Sequence, residues 1–189
     1  MSVFEHVRLA PADPILGLAE AFKADERTSK VNLGIGVYLD ENGHLPLMNC
    51  VHAAENRLAA AAKPHAYLGI DGLPDYVRLV RELVFGADSP AVAQGRIVTA
   101  QSLGGTGALR VGADFLATLN PGAPVLISDP SWENHRAIFA RAGFSVGAYR
   151  YYDAEARAIN FEGMIADLEA ARPGTVVVLH ACCHNPTGY

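Results

Sequence analysis

A glycine-rich segment between a short apolar run and a helical pattern is the first place in this sequence where chemistry is expected. Residues 104–107, Gly-Gly-Thr-Gly, follow residues 96–100, which are apolar and β-branched enough to form a buried strand, and precede helical spacing over 108–119. Free backbone N–H groups and the positive end of a helix dipole meet at such a junction, and Thr106 adds a hydroxyl donor. The segment therefore predicts an anion site, with a tight strand–helix turn that binds nothing as the alternative.

The glycine-rich segment does not match the two common nucleotide-binding motifs. Arg110 stands where the third glycine of G-x-G-x-x-G would be, and no Lys-Ser or Lys-Thr pair follows the glycines as in a P-loop. A Rossmann-type nucleotide enzyme is therefore a weak hypothesis for this chain.

Two further predicted strands end in polar or aromatic residues. Residues 124–128 lead into 129–135, which contains Trp132, and the apolar run 175–181 leads into Cys-Cys-His-Asn-Pro-Thr-Gly at 182–188. Because strands alternate with helices, we expect an α/β fold with right-handed crossovers, a three-layer α/β/α arrangement around a mainly parallel sheet. Ligands of open α/β sheets bind beyond the carboxyl ends of the strands, so three such loops predict one shared site.

The remaining periodicity completes this alternation of helices and strands. Helical spacing and cap residues predict helices after Asp13-Pro14, over 49–62 and 74–85, up to Ala142, and after Asn160. Two further strands are predicted over 31–38 and 145–152. Glycines interrupt the first of these strands, which is typical of a bulge or of a close approach by a ligand.

The composition narrows the classes of partner. The 189 residues carry a net charge of −5, with 50% hydrophobic and 19% charged residues. This acidic balance offers no electrostatic footprint for nucleic acid or an anionic membrane, and no apolar run approaches the length of a membrane span. We therefore expect neither nucleic acid nor a membrane as a partner.

The cysteines point to a reducing compartment. Three cysteines, two of them adjacent, make no disulfide framework, which predicts a cytoplasmic location. We expect Cys50, Cys182 and Cys183 to be buried thiols. His180, Cys182 and His184 alternate along one predicted strand, but adjacent cysteines lack the C-x₂₋₄-C spacing of zinc sites, so no metal is expected.

Six segments occur in an order and spacing that is far more specific than any one of them. They are 32–38 (Asn-Leu-Gly-Ile-Gly-Val-Tyr), 67–72 (Tyr-Leu-Gly-Ile-Asp-Gly), 105–110 (Gly-Thr-Gly-Ala-Leu-Arg), 130–135 (Pro-Ser-Trp-Glu-Asn-His), 149–153 (Tyr-Arg-Tyr-Tyr-Asp) and 180–188 (His-Ala-Cys-Cys-His-Asn-Pro-Thr-Gly). Together they resemble the class I, fold-type I aminotransferases that use pyridoxal phosphate, in the aspartate and aromatic amino-acid branch. The resemblance implies that residues 1–47 form an N-terminal arm and part of a small domain. Residues 48–189 would form the first, incomplete part of the large cofactor-binding domain.

The resemblance implies a role for several residues of the predicted site. Pyridoxal 5′-phosphate would be the cofactor, with Gly105 and Thr106 holding its phosphate through backbone and hydroxyl. Family members often carry serine where this chain has Gly104, so one phosphate donor is absent. Trp132 would stack on the pyridine ring, and Asn185 would donate to the phenolic oxygen of the ring and reach the substrate carboxylate.

Other implied roles concern the substrate and a second subunit. Gly36 would offer its backbone to the substrate from the small domain. Tyr67 would cross to the phosphate bound by the neighbouring subunit, which implies a symmetric homodimer. His135 resembles a histidine that lies near the ring and is linked through His180 to the buried side of the site. A surface tyrosine and two core histidines are the alternatives without a function.

One essential group of the family is missing from the chain. The chemistry needs a lysine that binds the cofactor covalently and moves a proton at the substrate. The lysines of this chain, Lys23, Lys30 and Lys63, all precede the glycine-rich segment, and none stands where the family pattern would place that lysine. We therefore expect an N-terminal fragment, roughly the first half of a subunit, that does not transaminate alone.

The leading hypothesis for function concerns the full-length protein. It is the pyridoxal-phosphate-dependent transfer of an amino group between an aromatic or dicarboxylic amino acid and 2-oxoglutarate. Aromatic and dicarboxylic substrates share this half of the pattern, so the sequence does not separate them. The alternative is a non-catalytic module that binds a phosphorylated ligand or a partner chain through the same loops.

Overall fold

A computed structural model describes residues 3–7, 14–32, 34, 36–64 and 66–189, with no description of the side chains of 14–16. The chain divides into two compact units, residues 1–65 and residues 66–189, which are described separately.

The N-terminal unit contains two helices, α1 (Pro14–Ala24) and α2 (Asn49–Ala61). Lys30 closes the end of α1, because its Nζ donates to the carbonyl oxygens of Phe22 at 2.6 Å and of Asp25 at 2.5 Å. The same ammonium lies 4.5 Å from the centre of the Phe22 ring. Both helices confirm the periodicity of the sequence, whereas the helix cap predicted at Asp13 lies outside the described residues.

The C-terminal unit contains the sheet. Its helices are α3 (Pro74–Phe85), α4 (Pro90–Ala93), α5 (Gly104–Leu119), α6 (Glu133–Arg141) and α7 (Phe161–Glu169). Its strands are β1 (Pro124–Asp129), β2 (Ser145–Arg150), β3 (Tyr152–Asp153), β4 (Ala158–Ile159) and β5 (Val176–Val177). Helix α7 begins as predicted at Asn160, whose Oδ1 accepts from the backbone N–H of Gly163 at 2.8 Å.

The main sheet is parallel, with the strand order β2-β1-β5. Strand β1 pairs with β2 along its whole length, from Pro124 opposite Ser145 to Asp129 opposite Arg150. The chain moves outward from β1 to β2 through α6 and returns past β1 to β5 through α7. Right-handed crossovers in opposite directions place α6 and α7 on opposite faces of the sheet, which gives the three-layer α/β/α arrangement. Strands β3 and β4 form a separate antiparallel hairpin.

The core lies between β1 and the helices α5 and α6. Val125 and Ile127 of β1 are buried against Phe139 of α6 and Ala113 of α5. The rings of Phe139 and Phe144 meet edge to face, with centroids 6.0 Å apart. This cluster fixes α6 on the sheet, and therefore fixes the loop that joins β1 to α6.

Three of the predicted strands are wrong or too long. Residues 96–100 form no strand, and Val98 is 94% exposed. The described residues of 31–38 form no strand either, and the run 175–181 pairs only at Val176 and Val177. The physical reason is the same in each case: apolar residues favour a strand, but a strand also needs a neighbour that accepts its backbone hydrogen bonds. Within the described residues of 31–38 and 96–100 no paired strand supplies one.

The expected burial of the thiols is also wrong. Cys50, Cys182 and Cys183 are all exposed. Cys50 lies on α2, a helix without buried residues, and the other two follow β5 in the loop that leaves the sheet. Apolar character alone did not reveal that these positions lie outside the core.

Candidate functional site at the carboxyl edge of the sheet

The end of β1 carries the first group of candidate residues. Ser128 is buried on the strand, and Trp132 stands at the N-terminal boundary of α6. One turn into α6, His135 is buried, and its Nδ1 lies 2.8 Å from Ser131 Oγ. The indole of Trp132 meets the His135 ring edge to face at 5.3 Å. The core packing of α6 thus places one face of a half-buried tryptophan at the edge of the sheet.

The chain that leaves β5 supplies the second group. The ring of His180 lies 5.1 Å from that of His135 and 4.5 Å from that of His184. His184 is buried, and its Nε2 lies 2.8 Å from Ser128 Oγ at the end of β1. These contacts confirm that the loops after β1 and β5 meet at one edge, as the parallel topology predicts.

The three histidines share an environment that favours the neutral imidazole. Burial lowers the pKa of His135, and the nearby His180 lowers it further. Burial also lowers the pKa of His180 and, together with the other two histidines, that of His184. The Nδ1 atom of His180 is buried and has no hydrogen-bond partner among the described residues. A buried nitrogen left unpaired is a position that a further polar group would satisfy.

The histidine cluster predicts that the chain loses stability in mild acid. The folded-state pKa values of His135, His180 and His184 are lowered, so below about pH 6.5 the unfolded chain binds protons that the folded chain resists. The stabilisation is complete above that pH and is lost as the pH falls. We expect a lower free energy of urea unfolding at about pH 5.5 than at about pH 7.5, and a smaller difference in His180→Gln.

The matched control is His52→Gln, at an exposed position of α2, which should keep the wild-type pH dependence. An equal loss of stability in acid for wild type and His180→Gln would contradict the prediction.

The N-terminus of α5 contains the glycine-rich segment. The helix begins at Gly104, so the glycines form its first turn rather than a loop before it, and no side chain caps this end. A Cβ added at Gly104 or Gly105 would have nothing within 4 Å, and although the Gly104 N–H donates to the Ser102 carbonyl at 3.1 Å, no side chain covers the next turn residues. Thr106 is exposed beside them. The arrangement leaves first-turn N–H groups and a hydroxyl available to an anion.

Helix α5 starts at the same edge of the sheet as the histidine cluster. Residues Ala108 and Leu109 of α5 line one groove, of about 370 Å³, together with Val178 and Leu179 of the chain leaving β5. The phenol of Tyr149, on β2, donates to the Val178 carbonyl at 3.0 Å. The first turns of α5 and the loop containing His180 are therefore neighbours.

The other predicted site residues have no contact with the histidine cluster among the contacts described. Asn185 is exposed in the turn that follows His184, where Gly188 N–H donates to the His184 carbonyl at 2.7 Å. Tyr67 is fully exposed in the segment before α3. Gly36 is exposed in the N-terminal unit. The roles of all three stay predictions.

Sequence reasoning gave no role to several residues that build this edge, although three of them lie in its six segments. Each contacts the histidines or the chain leaving β5 through a hydroxyl or an aromatic ring: Ser128, Tyr149, Tyr151 and Thr187. One signal was available for Ser128, a serine at the last positions of an otherwise apolar strand. Tyr151 gave no such signal, because its parallel stacking on His184, with centroids 4.0 Å apart, depends on tertiary structure.

Comparison with known proteins identifies the class to which this site belongs. The family of class I and II aminotransferases matches the chain over residues 28–189. The chain therefore belongs to this family, as the order of its six segments predicts.

Two relatives within this family have high sequence identity to the chain. The chain is 56% identical over 188 residues to the aspartate aminotransferase of Pseudomonas aeruginosa, and 48% identical over 189 residues to the aromatic-amino-acid aminotransferase of Escherichia coli. The alignments cover 100% and 98% of this chain, but only 47% of each relative. The chain thus spans about half the length of the curated relatives it matches.

A solved structure confirms the fold. The aromatic-amino-acid aminotransferase of Burkholderia pseudomallei, determined covalently bound to pyridoxal phosphate, is 61% identical and superimposes with a TM-score of 0.89. The match covers 98% of this chain and 47% of that protein. The cytoplasmic aspartate aminotransferase of Saccharomyces cerevisiae is 37% identical, with a TM-score of 0.86. The expected fold-type I α/β architecture, here as part of a domain, is therefore confirmed.

Among the helices that the structure describes, none is both long and apolar enough to cross a bilayer.

Proposed function

We propose that this chain is the N-terminal, phosphate-binding part of a pyridoxal-phosphate-dependent aminotransferase. The full-length protein would exchange the amino group of an aromatic or dicarboxylic amino acid with 2-oxoglutarate. The observation that carries the proposal is that the early turns of α5 border the chain leaving β5, whose His180 meets His135 and Trp132 at the end of β1. The relatives include both an aspartate aminotransferase and an aromatic-amino-acid aminotransferase, so they support the two substrate classes equally.

The described residues fit the cofactor at three points. The first turn of α5 has no side-chain cap, so the N–H groups that follow Gly104 suit a phosphate. The half-buried indole of Trp132 offers a flat apolar surface for a pyridine ring. The unpaired Nδ1 of His180 offers a buried polar contact. When bound, pyridoxal phosphate supplies an electron sink for negative charge at the α-carbon of the amino acid.

Each residue then has a proposed task. Gly105 donates its backbone N–H to the phosphate, and Thr106 donates its hydroxyl. Trp132 covers the ring and excludes water from one side of it. Asn185 donates its amide to the phenolic oxygen of the ring and orients the substrate carboxylate, while Gly36 offers its backbone to the substrate.

None of the three lysines is proposed as the covalent attachment point. The ammonium of Lys30 is bound to two carbonyl oxygens at the end of α1. Lys23, near the end of α1, and Lys63, after α2, are exposed and belong to the N-terminal unit. We therefore assign the chain binding and orientation, and assign proton transfer to residues outside it.

We also propose that the protein acts as a symmetric homodimer in which Tyr67 reaches the phosphate bound by the second subunit. The full exposure of Tyr67 and Ile70 supports this role, because two large side chains of one short segment face outward. A monomeric mass for the full-length protein in sedimentation equilibrium would contradict it. The proposed domains are residues 1–47, an arm with part of a small domain, and 48–189, the first part of the large domain.

The test uses the one tryptophan of the chain as its probe. Pyridoxine 5′-phosphate carries the ring and the phosphate but no aldehyde, so it binds without forming an imine with surface lysines. We expect it to quench Trp132 fluorescence saturably, with an affinity at least about ten-fold higher than that of pyridoxine, because charged hydrogen bonds to the phosphate are lost in the latter.

Thr106→Val should weaken binding, whereas Thr118→Val, near the opposite end of α5, should not. Equal affinity for the two compounds would contradict the proposal. Binding of inorganic phosphate with no preference for the ring would favour the phosphorylated-ligand module instead. For the full-length protein, absence of a cofactor absorption band would exclude the aminotransferase reaction.

A further inference from the structure

A buried side chain, His184, attaches the turn that carries Asn185 to the end of β1. Asn185 itself is exposed, and its side-chain amide makes no hydrogen bond within the part of the chain that the structure describes. His184, the preceding residue, is only 3% exposed. Whatever orients Asn185 must therefore act through its backbone neighbours rather than through its own side chain.

The imidazole of His184 is held at both ring nitrogens and on one face. Its Nε2 lies 2.8 Å from Ser128 Oγ, and its Nδ1 lies 2.8 Å from Thr187 Oγ1. One face stacks on Tyr151 at 4.0 Å with an angle of 17° between the rings, and the His180 ring lies 4.5 Å away. The imidazole thus joins the end of β1, the residue after β2 and the Asn185 turn.

The donors and acceptors in this cluster have a defined direction. The Tyr149 hydroxyl donates to the Val178 carbonyl, since a carbonyl only accepts. The Thr187 oxygen accepts from the Tyr189 N–H at 3.3 Å, which leaves the Thr187 hydroxyl proton to donate. With this assignment His184 Nδ1 accepts from the Thr187 hydroxyl, and Nε2 carries the proton and donates to Ser128 Oγ. Burial lowers the pKa of His184, which keeps this neutral form.

We propose that His184 is a positioning residue that holds Asn185 in the site by fastening its turn to the buried end of β1. The inference rests on the proposed function in that Asn185 contacts the cofactor. It goes beyond that function by assigning the orientation of Asn185 to a chain of three side chains, Ser128, His184 and Thr187. His184 touches neither substrate nor cofactor in this role.

The first test needs no ligand. Imidazole ¹⁵N resonances of the chain should show His184 protonated at Nε2 and not at Nδ1 at neutral pH. Ser128→Ala and Thr187→Val leave the packing of the ring in place while each removes one anchor. Both should shift the Asn185 side-chain amide resonance and increase its mobility, whereas Thr118→Val should leave it unchanged. A proton on Nδ1, or an Asn185 amide unaffected by either variant, would overturn the proposal.

The second test measures the dissociation constant for pyridoxine 5′-phosphate. His184→Leu removes both anchors and should weaken binding by roughly ten-fold to a hundred-fold, the scale of a misplaced contact. His184→Gln retains a donor near the position of Nε2 and should recover most of that loss. Asn185→Ala should weaken binding in the wild-type chain but add nothing in the His184→Leu background, because the two residues would act as one unit.

The outcomes separate this inference from the proposed function. If the wild-type chain binds no pyridoxine 5′-phosphate, the proposed function fails, while the ligand-free resonances still decide whether His184 orients Asn185. If binding occurs and the effects of His184→Leu and Asn185→Ala are additive, the positioning role is overturned and the proposed function stands. Should His184→Leu fail to fold, the comparison of Ser128→Ala with Asn185→Ala replaces it in the same cycle.

Discussion

Phe139→Ala is expected to lower the free energy of unfolding by about 3–5 kcal/mol, because the ring is buried and its removal leaves a cavity that the core cannot refill. Phe139 is 4% exposed and packs with Phe144, Val125 and Ile127 between β1 and α6. Since small domains are stable by only about 5–15 kcal/mol, this single change removes a large part of the total. Urea unfolding followed by circular dichroism measures the loss.

The effect should extend to the candidate site. Phe139 lies one turn after His135 on α6, so loosening this helix also loosens the loop that carries Trp132. Phe161→Ala is the matched control, because that ring, at the start of α7, is 63% exposed and should cost little. Equal losses for the two variants would show that the core does not lie where the structure places it.

Gly72→Ala is expected to have the second large effect. Gly72 has a φ of +98°, a backbone conformation that costs an L-residue about 1–2 kcal/mol. An added Cβ would also lie 2.7 Å from Gln101 Oε1 and closer still to Gln101 Cβ, and such overpacking typically costs a further 1–3 kcal/mol, or about 2–5 kcal/mol in all.

This glycine joins two segments of the proposed site. The Leu73 N–H donates to Gln101 Oε1 at 3.0 Å, and the Gln101 N–H donates to the Asp71 carbonyl at 2.9 Å. The segment with Tyr67 is thereby held to the residues that lead into the α5 N-terminus. We expect Gly72→Ala to release both amides, which hydrogen exchange at Leu73 and Gln101 would show as lost protection.

Gly112→Ala is the control for this substitution. Gly112 lies within α5, and an added Cβ would have nothing within 4 Å, so alanine should leave stability unchanged or raise it by up to about 1 kcal/mol. If Gly72→Ala behaved like Gly112→Ala, the close approach of Gln101 to residue 72 would be incorrect.

Much of the fold could be read directly from local pattern. The helix over 74–85 has the predicted bounds, and helix α7 starts at the predicted cap, because spacing and capping are local properties of the chain. The alternation of helices and strands was enough to predict a parallel sheet and the edge where its loops meet. The family could also be predicted, because the six segments that indicate it occur in a specific order.

The wrong predictions of strands and of buried thiols concern apolar runs whose pairing or burial depends on another segment. Val98 and its neighbours have the composition of a strand but no neighbouring strand in the part of the chain described, and they stay unpaired. Cys182 and Cys183 follow an apolar run and yet lie exposed. Strand pairing and side-chain burial depend on residues distant in sequence, so the pattern of one segment does not predict them.

The glycine-rich segment, Trp132 and Asn185 were candidates from residue type and order alone, because the chemistry of a phosphate or an aromatic ring limits which side chains can bind it. For Trp132 and Asn185 the sequence by itself also determined that they follow strands and so share an edge, whereas the strand expected before the glycine-rich segment does not form. Only the tertiary structure decided how that edge is built: Ser128, Tyr151 and Thr187 surround His184 because β1, β2 and β5 lie in the order β2-β1-β5. Contacts across 56 residues of chain, such as that between Ser128 and His184, are products of packing and leave no local signal.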